Sequence, residues 1–296
     1  MHYDSMIYRP PTEAYTQLLQ VTSGCSHNTC IYCNMYEGVD FKVSPIEEIK
    51  ADLKEIAPYS STIRRIYLLN GDPFALSFEK LKEIALLVKK YIPLCNTITM
   101  YASVNSIKDK TVDELKVLRK LGINHLYMGI ETGHDDTLKY INKGNTSEEA
   151  KVQLKKLNEA NMDFITILMY GIAGKGKGIE NAKATAELMN EVKTIGIGPM
   201  NLNILQGTVL YDLMRKGKFE EASDLEKLEE LRALIENLEQ KEEMLFSCIH
   251  MSNLLSLDGT LPRDKKKFLK EIDRVIDYVK KDKISFDKKK SFGRTI

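Results

Sequence analysis

Three cysteines lie close together near the start of the chain. Cys25, Cys30 and Cys33 are separated by four and by two residues, in a chain of 296 residues with five cysteines. Thiolates are the usual protein ligands of iron–sulfur clusters, and three of them on one loop can hold three irons of a cubane cluster. The fourth iron would then be free to bind another molecule. Because His27 lies between the first two cysteines, a tetrahedral zinc site is the alternative.

The composition narrows the class of protein. Lysine and arginine number 43 against 42 aspartate and glutamate, and this net charge of +1 gives no support to a nucleic-acid or membrane partner. The N-terminus lacks the pattern of a signal peptide, and no apolar run approaches the length of a membrane span. An odd number of cysteines, three of them clustered, is typical of metal binding in a reducing compartment. We therefore expect a cytoplasmic protein.

Strand-like and helix-like segments alternate along the first two thirds of the chain. The predicted strands are residues 15–21, 63–69, 97–102, 125–130, 164–170 and 200–205. The predicted helices are residues 45–56, 77–91, 112–120, 135–140, 147–160 and 179–192, with Ser44, Ser77 and Thr146 as N-caps. This alternation predicts an α/β fold, namely a partial (βα)6 TIM-like barrel of parallel strands.

The pattern changes after the sixth strand. We place the barrel in residues 1–210 and expect residues 211–296 to form a mainly helical C-terminal extension that closes over it. Charged residues at 220–244 and residues 263–280 read as helices, and residues 246–255 as a seventh extended element. The basic tail from residue 280 onward is expected to be a frayed, solvated terminus.

The cysteine loop directly follows the first predicted strand, which is where active groups gather in parallel α/β folds. Since the carboxyl ends of parallel strands meet at one rim, the residues after the other strands should face the same pocket. These are Asn70, Gly71 and Asp72 after the second strand, Ser103 and Asn105 after the third, Glu131 after the fourth, Ile172 after the fifth, and Leu205 in the sixth.

On these residues and spacings the chain resembles radical S-adenosylmethionine (SAM) enzymes. It is most similar to the core shared by the elongator-type radical domain, the tRNA methylthiotransferases and oxygen-independent coproporphyrinogen oxidase, over residues 15–205. That family spaces its cysteines by three and two residues, whereas this loop has four and two. The aromatic Tyr32 before the last cysteine is kept. The resemblance implies a [4Fe-4S] cluster on Cys25, Cys30 and Cys33, with the amino and carboxylate groups of SAM on the open iron.

The resemblance also implies contacts to the nucleoside of SAM. Tyr32 would pack near the adenine, and Ile172 in the glycine-containing turn would flank it. Leu205 or its neighbouring backbone would touch the adenine from the sixth strand. Glu131 would accept hydrogen bonds from the ribose hydroxyls.

The methionine end of SAM would meet the second and third strands. Asn70, Gly71 and Asp72 stand where the family has Gly-Gly-Glu, whose backbone and carboxylate contact the methionine ammonium. Ser103 and Asn105 are two residues apart, so on an extended backbone both side chains would lie on the same side of the chain and supply polar contacts. The arginine that relatives often have near this point is absent from the sequence.

The reaction implied by the resemblance starts from one electron given to the cluster. The S–C5′ bond of SAM breaks, and a 5′-deoxyadenosyl radical abstracts hydrogen from the substrate. The electron donor would be a protein such as flavodoxin or ferredoxin. The substrate is not identified, but the neutral net charge favours a small molecule over RNA, whose phosphates need a basic surface. An RNA-modifying enzyme is kept as an alternative.

Two further classes stay open. Gly171, four residues and then Gly176-Lys177 nearly match a phosphate-binding P-loop, but Gly178 stands where a hydroxyl must bind Mg²⁺. A nucleotide hydrolase that uses Lys177 is therefore one alternative, and a non-enzymatic metal-binding module is another.

One stretch outside the predicted barrel carries reactive side chains. If residues 246–253 are extended, Cys248, His250 and Ser252 share one face. Cys248 and His250 then either line the substrate pocket or form the edge of the core, where free cysteine is usually found. Cys95 is interpreted as structural.

Overall fold

The structure is a computed structural model that describes residues 1–4 and 6–282. The predicted frayed tail lies outside the described residues from Lys283 onward. Within the described part, eight strands form a main sheet and two form a small ribbon. In chain order they are β1 (Gln17–Leu19), β2 (Thr22–Ser23), β3 (Lys42–Val43), β4 (Arg65–Leu68), β5 (Thr97–Ala102), β6 (Ile123–Glu131), β7 (Asp163–Tyr170), β8 (Gly196–Asn201), β9 (Met244–Ser247) and β10 (Asp258–Leu261).

The main sheet has the order β1-β4-β5-β6-β7-β8-β9-β10. Neighbouring strands from β1 to β9 are parallel, and β10 pairs antiparallel with β9 at the edge. The order begins at β1 and ends at β10, so the sheet is open. The predicted partial TIM-like barrel is thus confirmed, with seven parallel strands in place of the expected six.

Helices connect the parallel strands, as in βα units. They are α1 (Ile46–Ile56), α2 (Phe78–Tyr91), α3 (Val104–Lys108), α4 (Val112–Lys120), α5 (Asp135–Tyr140), α6 (Ser147–Glu159), α7 (Gly178–Asn190), α8 (Val209–Arg215), α9 (Asp224–Asn237) and α10 (Lys265–Asp282). Ser77 and Thr146 cap α2 and α6 as predicted. Ser44 does not cap α1, because Pro45 occupies the N-cap position.

Two predicted segments have different bounds in the structure. The sixth strand is β8, Gly196–Asn201, and not residues 200–205. Two glycines and a proline made this segment a poor strand candidate, and its parallel pairing with β7 overrides that preference. The charged stretch 220–244 is not one helix, because α9 ends at Asn237 and β9 begins at Met244.

The barrel interior is lined by tyrosines. Tyr67, Tyr101 and Tyr127 lie on three successive strands of the sheet, with ring centroids 5.9 to 6.3 Å apart. Near the amino ends of these strands, the Tyr127 hydroxyl donates to Glu13 over 2.6 Å, and Arg65 also pairs with Glu13. Glu13 is 1% exposed and Arg65 is 34% exposed, so a partly buried ion pair closes this end of the barrel. The candidate site lies at the opposite rim.

Residues after 210 continue the same sheet. β9 pairs in parallel with β8, and α9 packs between α7 and α10. The division at residue 210 stays a prediction, and the sheet passes across it. None of the helices in residues 1–4 and 6–282 combines the length and apolar character needed to cross a membrane.

Candidate functional site

The three clustered cysteines lie in the loop between β2 and β3, just beyond the carboxyl end of β1. The two short strands pair antiparallel and hold the ends of this loop together. Cys25 and Cys30 are partly buried, and Cys33 is exposed. Burial raises the pKa of the Cys25 and Cys30 thiols. Metal binding at this loop would therefore be accompanied by release of thiol protons.

Gly71 lets the second rim loop approach the cysteines. A Cβ at this position would lie 2.7 Å from Cys25 Cβ and 2.8 Å from Tyr36 Cε2, so only glycine fits. Asn70, just before it, has a φ of 85°, and its side-chain amide donates to the Thr22 carbonyl. Tyr36 is 3% exposed, and its hydroxyl has no hydrogen-bond partner in the described part of the chain.

Asp72 joins two rim loops. Its carboxylate accepts hydrogen bonds from the hydroxyls of Ser26, in the cysteine loop, and Ser103, after β5, at 2.6 and 2.7 Å. Burial raises the pKa of Asp72 in spite of these bonds. The Asp72 side chain thus positions the cysteine loop against the carboxyl end of β5. Its contact with the ammonium group of SAM stays a prediction.

Ser103 and Asn105 do not share one side of an extended backbone. Ser103 is the N-cap of α3 and forms a capping box with Ser106, which places Asn105 inside the helix. Asn105 points to another loop, where its amide donates to the Gly144 carbonyl over 3.0 Å. The expectation of a common face was wrong because the short helix begins directly after β5.

Glu131 ends β6 in a left-handed conformation, with a φ of 63°. Its carboxylate pairs with Lys143 over 2.8 Å, and burial together with the Glu131 carboxylate raises the pKa of Tyr32. Although burial acts against the charge of Lys143, the facing Glu131 carboxylate and the thiol of Cys30 raise its pKa. A cation, a carboxylate and a phenol therefore meet beside one of the clustered cysteines.

An apolar group lies next to these polar side chains. Ile172 is fully buried, with Ile31 and Tyr32 of the cysteine loop packed against the same small cluster. The structure thus places Tyr32 and Ile172 in one apolar cluster, and their contact with the adenine stays a prediction. Leu205 lies beyond the end of β8, in the turn where its carbonyl accepts from Thr208, the N-cap of α8. It is therefore not on the strand face that was predicted.

The glycine turn after β7 is held by carboxylates of α9. The amide of Gly171 donates to Glu230 over 2.8 Å, and that of Gly176 donates to Glu226 over 2.9 Å. A P-loop aims such amides at phosphate. Lys177 is exposed and precedes α7. Two of the amides that a nucleotide hydrolase would need are thus already bonded within the chain.

A buried network links α9 to the rim at β6. Glu230 accepts from the Asn181 amide over 2.8 Å, and Asn181 accepts from the Thr132 hydroxyl over 2.7 Å. Thr132 directly follows Glu131. Burial raises the pKa of Glu230 to about 7. One carboxylate therefore positions both the Gly171 turn and the backbone after Glu131.

Cys248, His250 and Ser252 do not share a strand face, because β9 ends at Ser247. Cys248 is fully buried in the core, and burial raises its pKa to about 12. His250 is half-buried in a turn, with Nδ1 2.8 Å from the Ser252 hydroxyl. Cys95 is also buried and bonds to the Thr97 carbonyl.

A family comparison identifies this arrangement. The model described as the Radical SAM superfamily matches residues 19–189, which include the cysteine loop, Glu131 and Ile172. The chain belongs to the radical SAM superfamily. The cofactors of this superfamily are a [4Fe-4S] cluster and SAM, as the sequence predicted.

Individual relatives are distant. The chain is 25% identical to the heme chaperone HemW of Bacillus subtilis (strain 168) over 202 residues, which is 66% of this chain and 52% of HemW. It is 23% identical over 214 residues to the tRNA-2-methylthio-N(6)-dimethylallyladenosine synthase of Treponema denticola, or 68% of this chain and 46% of that protein. The chain spans about half the length of these curated relatives.

Among solved structures, the chain is similar to coproporphyrinogen III oxidase (HemN) from Escherichia coli, a radical SAM enzyme. The TM-score is 0.52 at 17% identity, and the match covers 75% of this chain and 52% of HemN. At this identity the likeness supports the fold alone. It agrees with the partial barrel described above.

The residues of the loop fit the superfamily's cofactors. Three thiols share the loop, and the unpartnered Tyr36 hydroxyl lies buried beside it. In residues 1–4 and 6–282, no three His, Cys, Asp or Glu side chains are placed to hold a metal ion. A four-iron cluster is a larger group, and its cysteine ligands bind different irons. Cys25, Cys30 and Cys33 could therefore hold such a cluster.

Lys143 is the site residue that sequence reasoning missed. An arginine was sought just after the third predicted strand, where the sequence has none. Lys143 comes instead from the turn that follows α5, and Asn142 before it has a φ of 55°. The Asn-Lys-Gly sequence is a turn signal, but it does not reveal that the lysine folds back onto Glu131.

Proposed function

We propose that the chain is a radical SAM enzyme in which Cys25, Cys30 and Cys33 hold the [4Fe-4S] cluster. When bound, cluster and SAM supply a one-electron cleavage and a 5′-deoxyadenosyl radical that abstracts hydrogen from a substrate. The observation that carries the proposal is the convergence of three thiols and the Lys143–Glu131 pair at one rim of the barrel. The chain's own part is to bind and orient SAM and to exclude water.

The proposed cofactor-binding residues contact different chemical groups of SAM. Tyr32 would offer an apolar surface for the adenine, supported from below by the buried Ile172, and Leu205 would approach the adenine from the turn after β8. Glu131 accepts from the ribose hydroxyls. Lys143 supplies a buried positive charge for the carboxylate of SAM, the contact for which the sequence offered no arginine.

Residues at the carboxyl ends of β4 and β5 would bind the ammonium group of SAM. The strained backbone at Asn70 and the absence of a side chain at Gly71 allow close approach to the cysteine loop. Asp72 supplies negative charge, and Ser103 and Asn105 hold the neighbouring loops in place. Together these residues would orient the methionine end of SAM at the open iron.

We favour a small-molecule substrate. The net charge of +1 gives the chain no overall excess of positive charge for the phosphates of RNA. The names of the relatives do not decide between a small molecule and RNA, because one is a heme chaperone and another is a tRNA-modifying synthase. His250 remains our proposed residue on the substrate side. Cys248 was proposed with it, but its complete burial favours the core interpretation.

The test is anaerobic product formation. The purified chain is reconstituted with iron and sulfide, its cluster content is measured by iron analysis and visible absorbance, and SAM and dithionite are added. The proposal expects about four irons per chain and 5′-deoxyadenosine as product. A fully loaded sample that forms no 5′-deoxyadenosine would contradict it. Bound zinc without visible absorbance would favour the metal-binding module.

A further inference from the structure

One exposed face lies directly outside the cysteine loop. It consists of residues 27–29 of that loop, residues 139–142 around the end of α5, and residues 215–218 at the end of α8. The Asn142 amide donates to the Thr29 carbonyl over 3.0 Å, and the Tyr140 hydroxyl donates to the Lys218 carbonyl over 3.3 Å. We call these three segments the cationic face.

The cationic face has a local excess of positive charge. Its four charged side chains, all exposed, are Lys139, Arg215, Lys216 and Lys218. None of them forms an ion pair with any residue among 1–4 and 6–282. The three segments contain no carboxylate. Of the acidic residues nearest to them in sequence, Glu220 pairs with Lys175, and Asp136 and Asp212 lie on α5 and α8. Since the whole chain has a net charge of +1, this excess of positive charge is local.

The face is also directly connected to the candidate cluster ligands. Ile31 stands between Cys30 and Cys33. Its amide donates to the Ile141 carbonyl over 3.1 Å, and its carbonyl accepts from the Leu210 amide over 2.7 Å. The helices that carry the cations are therefore one hydrogen bond away from the backbone between two thiols. Cys33 is itself exposed. An electron that enters here has a short path to the cluster.

We propose that the cationic face is the docking surface for a small acidic protein that carries single electrons. The inference rests on the proposed function, since a radical SAM enzyme needs one electron for each SAM cleaved. In the docked pair one electron leaves the reduced carrier and enters the oxidised cluster, and no bond forms or breaks. Opposite charges on the two surfaces speed association and make it sensitive to salt. Electron-transfer partners also bind through small interfaces, which suits a face of three short segments.

The test compares two charge-reversal variants of the reconstituted protein. Lys216→Glu with Lys218→Glu alters the cationic face. Lys266→Glu with Lys267→Glu makes the same change on α10, which packs against α9. Purified flavodoxin of net negative charge is the probe. Its binding is measured by calorimetry at low and high salt, and 5′-deoxyadenosine formation is followed with either dithionite or reduced flavodoxin.

The dithionite-driven rate should be the same in all three proteins, because a small reductant needs no docking surface. With flavodoxin, the cationic-face variant should bind about tenfold more weakly and react correspondingly more slowly, while the α10 variant behaves as the unmodified protein. Equal flavodoxin binding by both variants, or binding to the unmodified protein that ignores salt, would overturn the inference. Failure with dithionite would instead contradict the proposed function, and the binding measurement would still decide the docking surface.

Discussion

The ammonium of Lys143 lies 2.8 Å from a carboxylate oxygen of Glu131, and the two side chains are 11% and 8% exposed. This pair joins the turn after α5 to the end of β6 beside Cys30. Removing one partner of a buried ion pair leaves an uncompensated charge and costs about 3–5 kcal/mol. Because we propose that the same two residues also bind SAM, variants must separate the effect on stability from the effect on affinity.

Lys143→Met should lower the free energy of unfolding by about 3 kcal/mol, because Glu131 is left buried and unpaired. It should also weaken SAM binding to the reconstituted protein about tenfold or more through loss of the positive charge. Urea unfolding and equilibrium dialysis measure the two quantities. The double variant Lys143→Met with Glu131→Gln should recover most of the stability but none of the affinity. Recovery of both would show that the lysine acts only on the fold.

Gly71→Ala should prevent cluster assembly, because its Cβ would meet Cys25 and Tyr36 at less than 3 Å. We expect iron content after reconstitution to fall severalfold while the far-ultraviolet circular dichroism is kept. Gly198→Ala is the matched control, since a Cβ there has no neighbour closer than 3.9 Å. If both alanine variants bind iron as the unmodified chain does, the close packing of Gly71 against Cys25 has no role in cluster binding.

Glu230 should make stability depend on pH. Its pKa in the folded chain is about 7, above its usual value of 4.5, so between these values the folded chain keeps a proton that the unfolded chain has lost. Stability should therefore fall as pH rises through this window, by up to about 1.4 kcal/mol per unit. Glu230→Gln removes this dependence.

The measurement is urea unfolding of both proteins from pH 4.5 to 7.5. The stability advantage of the unmodified chain over Glu230→Gln should shrink by about 3 kcal/mol across that range. Glu229→Gln is the control, because Glu229 pairs with Lys280 at the surface. A difference between the unmodified chain and Glu230→Gln that stays constant with pH would mean that Glu230 does not titrate in this window.

His250→Ala should leave uncoupled SAM cleavage within about twofold of the unmodified rate, because the ring bonds to Ser252 in a turn beyond β9. Its effect should appear only when the substrate is present. The check is 5′-deoxyadenosine formation without substrate. A loss as deep as that of a cysteine variant would assign His250 to the cofactor site.

The strand and helix order of the barrel was predictable because the elements carry local signals. β5, α4 and α5 have the predicted bounds, and Ser77 and Thr146 cap their helices as expected. The loop with Cys25, Cys30 and Cys33 could be identified for the same reason, since its cysteines lie close together in the sequence.

The misses share a different cause. Lys143 folds back onto Glu131 from 12 residues further along the chain, and Glu230 contacts Gly171 from 59 residues away. In both cases only tertiary packing brings the side chain to the rim. β8 contains Gly198 and Pro199, and its pairing with β7 outweighs their low strand preference. Asn105 is the exception, because the local capping box of Ser103 and Ser106 starts α3 directly after β5 and so moves Asn105 off the expected face. Pattern reasoning fails where contacts between distant segments decide the local structure.

The central claim is that three particular cysteines, and not the other two, hold a cluster that cleaves SAM. Each of the five cysteines is replaced by serine, and 5′-deoxyadenosine is measured after anaerobic reconstitution with SAM and dithionite. Serine at Cys25, Cys30 or Cys33 should abolish the product, whereas serine at the buried Cys95 or Cys248 should leave most of it. Product formed at the unmodified rate by any of the first three variants would contradict the claim.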